Sequence, residues 1–363
     1  MFTATTRVRR LPALFVAAAA AMSMLAACSG GSSDTPTPLP DVTRPAVIEP
    51  AKGTPPAPVV PPRWPLIGTA APADAPVRPA LAIKIENSVD ARPQTGLDQA
   101  DNVWEQVVEG GITRFVAVYH SQVPTEVGPI RSVRPMDPAI AAPLHGLIAF
   151  SGGQGPFVQA LKDAGLQTIS MDAGADGFYR KSGVGRAPHN VYGTPQTFWD
   201  QADANHSAAP QAQFVLARTA EAATAVASGA PASTVAVKLS GGSHPTWTWD
   251  AGTSTFLRSE GTKPAVVRSG VRLSATNVVT LSVQLIDSGT IDPAGNPVPE
   301  TVLDGSGEGT LSTGGKFVAV TWTKTAKDAV LTIATADGAT ATLAPGNTWI
   351  EPVPRGTGSV TIG

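Results

Sequence analysis

The only cysteine of this 363-residue chain, Cys28, directly follows a short apolar segment at the N-terminus. Arg7, Arg9 and Arg10 precede that segment, which runs over residues 11–25. A basic start, a short apolar run and small residues are typical of a cleavable secretory signal. The run is shorter than the about 20 apolar residues that a membrane-spanning helix needs. With one cysteine, the chain cannot be held by disulfides, and we expect neither cysteine catalysis nor a cysteine metal site.

The end of the apolar segment, Leu-Ala-Ala-Cys at residues 25–28, resembles the lipobox of bacterial lipoproteins. In a lipobox, the cysteine carries a thioether-linked diacylglycerol, and the chain is cut just before it. The alternative is an ordinary signal with a chance cysteine, but a lone cysteine in an exported protein would be an unpaired thiol. We therefore expect export, lipidation of Cys28 and a stable anchor in the outer face of the cell membrane, which takes two or more acyl chains.

Composition divides the rest of the chain. Fourteen prolines lie in residues 29–79, where large apolar side chains are few, and this composition is typical of a linker. The predicted organisation is a signal peptide at 1–27, a lipidated cysteine with a proline-rich tether at 28–63, and two domains at 64–215 and 216–363. Removal of residues 1–27 takes the net charge from −2 to −5, because they hold three arginines and no acid. Such a charge argues against nucleic acid as a partner.

The first domain is predicted to be mixed α/β. Apolar runs at 81–85, 112–121 and 147–150 are typical of strands. Leu97, Ala100, Trp104 and Val107 repeat at helical spacing, and Thr95 resembles the start of a capping box, so they predict a helix that ends at Gly110. Shorter helices are predicted at 138–145, at 156–164 and from Pro195. Alternating strands and helices favour a layered α/β arrangement.

The second domain is predicted to be mostly antiparallel β. β-branched and aromatic residues alternate in six segments that are separated by Gly, Asp and Pro. These segments are 235–239, 246–249, 255–258, 278–285, 317–322 and 330–333. The expected fold class of the whole chain is therefore α+β, with an N-terminal mixed α/β domain before a β-rich domain.

Acids and arginines are dense between residues 85 and 134. Asp98, Asp101 and Glu105 would share one face of the predicted helix. In one interpretation the acids and arginines pair with each other and fix loops. In the other, some arginines remain to bind an anion, for which the guanidinium fork is well suited. The candidates for ligand binding are Glu86, Asn87, Arg92, Glu105, Glu109, Arg114, Arg131, Arg134, His189 and Asn190.

The histidines give no metal motif. His189 follows a proline and is either a positioned base or hydrogen-bond donor, or a turn residue that bonds the backbone. His120, His145 and His189 occur without the H-x-x-x-H or H-E-x-x-H spacing. We therefore expect neither a metal nor a cofactor, and the sequence assigns no catalytic residue.

Four tryptophans of the second domain permit two interpretations. Trp247, Trp249, Trp322 and Trp349 would stack on sugars if exposed, or form core if buried. Glu308 and Glu351 are possible carboxylates for glycoside chemistry, which needs a pair at a fixed separation.

Several long motifs resemble one known family. They are RPALAIKIENSVDARPQTGLDQADNVWEQVVEGGITRF at 78–115, GPIRSVRP at 128–135, RAPHNVY at 186–192, VLDGSGEGTLSTGGKFVAVTWTK at 302–324 and LAPGNTWIEPVP at 343–354. Together they resemble the YerB-like bacterial lipoproteins, a two-domain family whose biochemical role is not known. The resemblance implies a bacterial, membrane-anchored, two-domain protein, and it implies no reaction.

Three functions fit these features. The favoured one is a non-enzymatic envelope lipoprotein that binds wall polymer or a wall-synthesis protein. The second is a wall-modifying hydrolase or transferase that uses carboxylates and arginines of the first domain. The third is a solute-binding lipoprotein, which predicts a cleft between two α/β lobes, and the β-rich second half argues against it.

Overall fold

The computed structural model describes residues 61–363. The signal peptide, Cys28 and most of the tether lie outside the described residues. The described residues belong to one compact unit. Within the described part of the chain, no helix has the length and apolar character needed to cross a bilayer.

The first half contains seven strands and three short α-helices. The strands are β1 (Leu81–Glu86), β2 (Asn102–Val107), β3 (Thr113–Tyr119), β4 (Leu147–Phe150), β5 (Gln167–Ser170), β6 (Phe178–Arg180) and β7 (Val191–Gly193). The helices are α1 (Asp137–Ala141), α2 (Gly155–Asp163) and α3 (Pro195–Trp199). Single 3-10 turns occur at Val89–Ala91, Leu97–Gln99, Glu109–Gly111, Ala142–Leu144 and Ala204–His206.

The second half is almost entirely strand after one short helix, α4 (Thr224–Ser228). Its strands are β8 (Ala230–Pro231), β9 (Thr234–Lys238), β10 (Pro245–Asp250), β11 (Thr255–Glu260), β12 (Lys263–Pro264), β13 (Ser274–Ala275), β14 (Asn277–Ile291), β15 (Pro297–Val302), β16 (Gly305–Thr313), β17 (Lys316–Lys324), β18 (Thr332–Ala334), β19 (Thr348–Pro354) and β20 (Ser359–Ile362). All six predicted segments are strands in the structure, which confirms the β-rich second half.

One twelve-stranded sheet joins the two halves. Its order is β18-β17-β16-β14-β19-β2-β3-β1-β4-β5, with β15 added on β14 and β8 on β17. At the junction β19 runs parallel to both neighbours, so that Thr348 lies opposite Asn277 on one side and Asn102 on the other. The domain boundary predicted between residues 215 and 216 stays a prediction. The large sheet contains strands from both sides of that position.

A six-stranded sheet covers one face of the large sheet. Its order is β12-β11-β10-β9-β20, with β13 on β11, and the hairpin of β6 and β7 stands apart. Alternating residues of β3 enter two cores: Val116 and Val118 pack with α1 and α2, whereas Phe115 and Ala117 pack with the six-stranded sheet. The central strands are therefore buried on both faces.

The predicted helix over residues 97–107 is wrong. Leu97–Gln99 is a single 3-10 turn, and Asn102–Val107 is the fully buried strand β2 between β19 and β3. A strand that is buried on both faces needs no polar alternation, so apolar residues at helical spacing misled the prediction. Asp98, Asp101 and Glu105 therefore do not line a helix: Asp101 accepts a bond from the backbone N–H of Ser121 at 2.8 Å.

The fold class is confirmed only in its coarse form. The protein is mostly sheet, and the first half holds three helices of five to nine residues. The predicted strands at 81–85, 112–121 and 147–150 and the helices near 138, 156 and 195 are present. The first-half strands continue the sheet of the second half, so the elements of the first half do not clearly form a separate layered α/β domain.

Candidate functional site

Charged and amide side chains that are buried where the two halves meet form three neighbouring groups, around Arg258, around Glu109 and Lys84, and around Glu86. We call the three groups together the buried polar network. It consists of Lys84, Glu86, Asn87, Glu105, Glu109, Arg114, Arg134, Asp137, Arg258 and Glu351, with Arg92, Arg131, His189 and Glu260 at its partly exposed ends. Nine of the ten candidate ligand-binding residues belong to it, and Asn190 lies beside it.

Arg258 is the centre of the first group. Its guanidinium is fully buried and donates from Nη2 to Oε2 of Glu105 at 2.5 Å, from Nη1 to Oε1 of Glu351 at 3.0 Å and from Nε to Oε1 of Glu260 at 3.0 Å. The rings of Phe115, Trp247 and Trp349 surround it, with centroids 5.0 to 5.4 Å from Cζ. These contacts satisfy the charge without water.

Burial and neighbouring charges shift the pKa of two groups at this centre, Glu351 and Arg258. Burial, followed by the charge of Glu105, raises the pKa of Glu351 well above its ordinary value, and the indole of Trp247 donates to Oε1 at 3.1 Å. Burial opposes the charge of Arg258, but the three surrounding carboxylates outweigh that effect, so its pKa rises. Of the three carboxylates, Glu105 lies closest to the guanidinium of Arg258.

Asn87 connects Glu105 to the surface. Its Nδ2 donates to Oε1 of Glu105 at 3.1 Å and to Oγ1 of Thr113 at 2.8 Å, while its Oδ1 accepts from Nε of Arg92 at 2.9 Å. Arg92 then pairs with Oε2 of Glu260 at 3.1 Å. Asn87 and Arg92 thus both form bonds within the protein, and the side chain of Arg92 is 27% exposed.

A second group lies just beyond the C-terminal end of β2, around Glu109. Glu109 pairs with Nε of Arg134 and lies 3.9 Å from Nη2 of Arg114, and the Arg114 Nη1 donates to the carbonyl of Ser132 at 3.0 Å. Burial, then the nearby charge of Arg134, lowers the pKa of Arg114 to about 9. These arginines fix the loop after Gly128, as the ion-pairing interpretation predicts.

A buried lysine continues this group. Lys84 donates to Oδ1 of Asp137 at 2.5 Å and to Oε1 of Gln106 at 3.2 Å. Burial lowers the pKa of Lys84 to about 8, although the charge of Asp137 opposes the shift. Asp137 also accepts from the backbone N–H of Arg134 at 2.7 Å, so it joins the lysine to that loop.

The third group reaches the surface. Glu86 is buried, and its Oε1 lies 2.8 Å from Nδ1 of His189, while its Oε2 lies 3.4 Å from Nε of Arg131. The side chains of His189 and Arg131 are 26% and 19% exposed. A buried carboxylate therefore holds two side chains whose outer ends face solvent.

The hairpin of β6 and β7 adds further cations at this place. Residues 178–193 contain Arg180, Lys181, Arg186 and His189 and no acidic residue. Arg180 and Arg186 are exposed, and Arg180 donates to Oδ1 of Asn190 at 2.9 Å. We call Arg131, Arg180, Arg186 and His189 the basic surface. It is a local excess of positive charge on a chain whose formal net charge is −2.

The aromatic and carboxylate candidates of the second half are core residues or lie apart. Trp247, Trp322 and Trp349 are at most 2% exposed and belong to the hydrophobic cores. Glu308 is exposed on β16, whereas Glu351 is buried beside Arg258. They do not form the exposed pair that glycoside chemistry requires.

Sequence reasoning missed Lys84, Asp137, Arg258 and Glu260. Arg258 shares a strand face with the buried Phe256, two residues earlier, and Lys84 stands between Ile83 and Ile85. A charge at an inward position of an apolar strand is a signal for a buried ion pair. Across residues 61–363, no three His, Cys, Asp or Glu side chains are grouped so that they could hold a metal.

Comparison with known proteins assigns the chain to a family. Residues 67–208 match the model described as "Protein of unknown function (DUF3048) N-terminal domain", and residues 235–350 match its C-terminal domain. A Bacillus subtilis (strain 168) protein named "Putative lipoprotein YerB" is 33% identical over 116 residues, which are 32% of this chain and 35% of that protein. This match spans about a third of the length of that relative.

A solved structure supports the fold. The crystal structure of the YerB protein from Bacillus subtilis superposes with a TM-score of 0.70 and 22% identity, and it covers 82% of this chain and 99% of that one. At this identity, the likeness concerns the fold alone. The two family models lie in the expected order, and they cover most of the described residues. The chain therefore belongs to the DUF3048 family, with its N-terminal and C-terminal domains in succession.

Proposed function

We propose that this protein is a membrane-anchored lipoprotein of the bacterial cell envelope that binds an anionic cell-wall polymer through its basic surface. The observation that carries the proposal is the hairpin of residues 178–193, which contains no acid and exposes Arg180 and Arg186, while Lys181 pairs with Glu126. A relative named as a lipoprotein and the lipobox-like sequence before Cys28 support the anchor.

The basic surface is built to present charge outward. Arg131 is held by Oε2 of Glu86 and by the carbonyl of Pro188, the latter 3.4 Å from Nη1. The side chain of Arg131 is 19% exposed. A guanidinium that is fixed at one edge and open at the other loses little conformational entropy on binding an anion. Arg180 and Arg186 extend the surface along the hairpin.

The buried polar network favours binding over catalysis. The carboxylates that a hydrolase or transferase would use, Glu105 and Glu109, are 0% and 6% exposed. Glu105 is engaged by Arg258, Thr113 and Asn87, and Glu109 pairs with Arg134. Glu105 is enclosed by these partners. Glu109 lines a cleft with Gly111 and Ser240, but its carboxylate is occupied by the ion pair with Arg134, so this geometry gives the wall-modifying hypothesis little support. The single sheet that joins both halves gives no support to the hypothesis of a solute-binding protein with two lobes.

Co-sedimentation of the full chain in detergent with insoluble cell wall tests the proposal. We expect pelleting at low salt that decreases at high salt, because salt screens exposed charges. The variant Arg180→Gln/Arg186→Gln should pellet several-fold less. Its matched control is Lys162→Gln/Lys327→Gln, which removes two exposed lysines outside the basic surface. Equal pelleting of the two double variants, or pelleting that does not change with salt, would contradict binding through the basic surface.

A further inference from the structure

A small cavity lies where the two halves of the chain meet, beside the partly exposed end of the buried polar network. We call it the junction pocket. Its volume is about 260 Å³, and its walls include Val89, Arg92, Pro93, Lys263, Ala265 and Leu273. Pockets for drug-sized ligands have about 300–1,000 Å³, so this one suits a smaller molecule.

The walls of the pocket are mostly aliphatic. Pro93 stands on the first-half side, and Ala265 and Leu273 stand on the second-half side, each of the latter two at most 8% exposed. Val89 at the mouth is 80% exposed, which is unusual for a large apolar side chain beside a pocket. A ligand with an apolar part would cover Val89 and fill the space against Ala265.

Polar groups at the pocket are predominantly cationic. Glu260 already forms two ion pairs, one with Arg92 at 3.1 Å and one with Arg258, whose Nη2 donates at 2.8 Å. Lys263 is exposed, and within residues 61–363 its ammonium group forms no ion pair, although its backbone pairs with Glu260 in the sheet. Arg268 lies at the rim, with Nη2 3.4 Å from the carbonyl of Pro93, and Asp90 is the exposed acid beside Val89.

We propose that the junction pocket binds a small aliphatic carboxylate, whose charged end meets Lys263 and whose apolar part packs against Ala265 and Leu273. Arg92 also lines the pocket, but its Nε and Nη2 already bond Asn87 and Glu260, so Lys263 supplies the charged contact. Two sources share this chemistry: a free short-chain acid and the C-terminus of a short peptide of small residues. The inference does not depend on wall binding, since the basic surface and the junction pocket share no residue.

Ligand titration of the full chain in detergent micelles, followed by NMR, tests this proposal. The probes are pentanoate and Nα-acetyl-alanyl-alanine, each compared with its amide. We expect saturable binding of at least one acid and about tenfold weaker binding of the matching amide, since a charge-assisted bond is lost. The tighter of the two acids identifies the source. Failure of both acids to bind at about 10 mM, or equal binding of acid and amide, would overturn the assignment.

Variants separate the charged and apolar contacts. Lys263→Ala, on an exposed residue, should weaken acid binding about fivefold or more and leave the amide unaffected. Ala265→Met should abolish binding of both forms by filling the pocket, provided that its melting temperature stays close to that of the parent. Lys327→Ala, an exposed lysine outside the pocket, is the matched control and should bind as the parent does. Unchanged acid binding by Lys263→Ala would also overturn the proposal.

Discussion

Nη2 of Arg258 lies 2.5 Å from Oε2 of Glu105, and this fully buried ion pair joins residues that are 153 positions apart. Glu105 stands on β2 of the large sheet, and Arg258 stands on β11 of the six-stranded sheet. The pair therefore fixes one sheet on the other at a point where both are apolar. Removal of one partner leaves a buried charge without compensation, which is far more costly than the loss of a surface pair.

Arg258→Met should destabilise the protein by about 3–5 kcal/mol. The variant keeps a long apolar side chain in the ring of Phe115, Trp247 and Trp349 but leaves Glu105 unpaired. Urea denaturation measures the change, and Lys327→Met is the control at an exposed site. Glu105→Gln/Arg258→Met should recover part of the loss. A loss below about 1 kcal/mol for Arg258→Met, near the average of all substitutions, would contradict a stabilising pair.

His120 should make the protein less stable as the pH falls. It is 2% exposed, neither ring nitrogen has a hydrogen-bond partner within residues 61–363, and Trp64 packs edge-on at 5.2 Å. Burial, then the charge of Arg78, lowers its pKa to about 4 from an ordinary value of 6.5. The folded protein therefore keeps His120 neutral between these values, where the unfolded chain takes up a proton. The contribution of neutral His120 to the free energy of unfolding is fully present above about pH 6.5 and decreases as the pH falls toward 4.

His120→Phe is the variant that isolates this effect. Phenylalanine retains the ring contact with Trp64 and cannot titrate. Free energies of unfolding for both proteins should be measured from pH 8 to pH 4. The difference between the two free energies of unfolding should be constant above about pH 6.5. Below that pH, His120→Phe should become increasingly more stable relative to the parent. Asp101, whose pKa burial raises to about 6, titrates in both proteins, so its effect cancels in the difference. A difference that does not vary with pH would show that His120 is not neutral in the folded state.

Gly96→Ala should cost more stability than Gly174→Ala. Both glycines have positive φ, +75° and +80°, where a side chain costs about 1–2 kcal/mol. A Cβ on Gly96 would also lie 2.5 Å from the carbonyl oxygen of Glu126, whereas Gly174 has open space. Overpacking adds about 1–3 kcal/mol in such cases. Thermal or urea unfolding of the two variants checks the order, and equal losses would show that the loop at Glu126 moves away freely.

Cys28→Ala should release the protein from the membrane fraction. The variant removes the only thiol that can carry a lipid, and the signal before it remains. Incorporation of a labelled fatty acid into the parent and its loss in the variant, together with cell fractionation, provide the measurement. A variant that still fractionates with the membrane would show that residues other than Cys28 supply the anchor.

Six strands of the second half could be predicted because β-branched and aromatic residues alternate along them, and several of these strands have one solvated face. Trp247 and Thr248 alternate between inside and outside, and so do Val320 and Thr321. Such alternation is the direct consequence of side chains that point to opposite faces of a strand. The first half lacks this signal where the sheet is covered on both sides, so β2 was mistaken for a helix.

The candidate site was predictable as a set of residues but not as an arrangement. Glu86, Arg131 and His189 were all selected from the sequence, and the structure places Arg131 and His189 at 3.4 and 2.8 Å from the carboxylate of Glu86. The partners of Glu105 were out of reach, since Arg258 and Glu351 lie more than 150 positions away. No local pattern specifies a contact over that separation, which depends on how the two sheets pack.

The position of β19 between β14 and β2 has a consequence for the order in which the molecule can form. Thr348–Pro354 follows all other strands of the large sheet in the chain, yet within residues 61–363 it is the only strand that bonds the first-half part of that sheet to the second-half part. Until it arrives, β2 and β14 each present an unpaired edge, and such edges invite aggregation. A chain that crosses a membrane unfolded, with its N-terminal part first, would complete this sheet only after residues 348–354 had emerged on the far side.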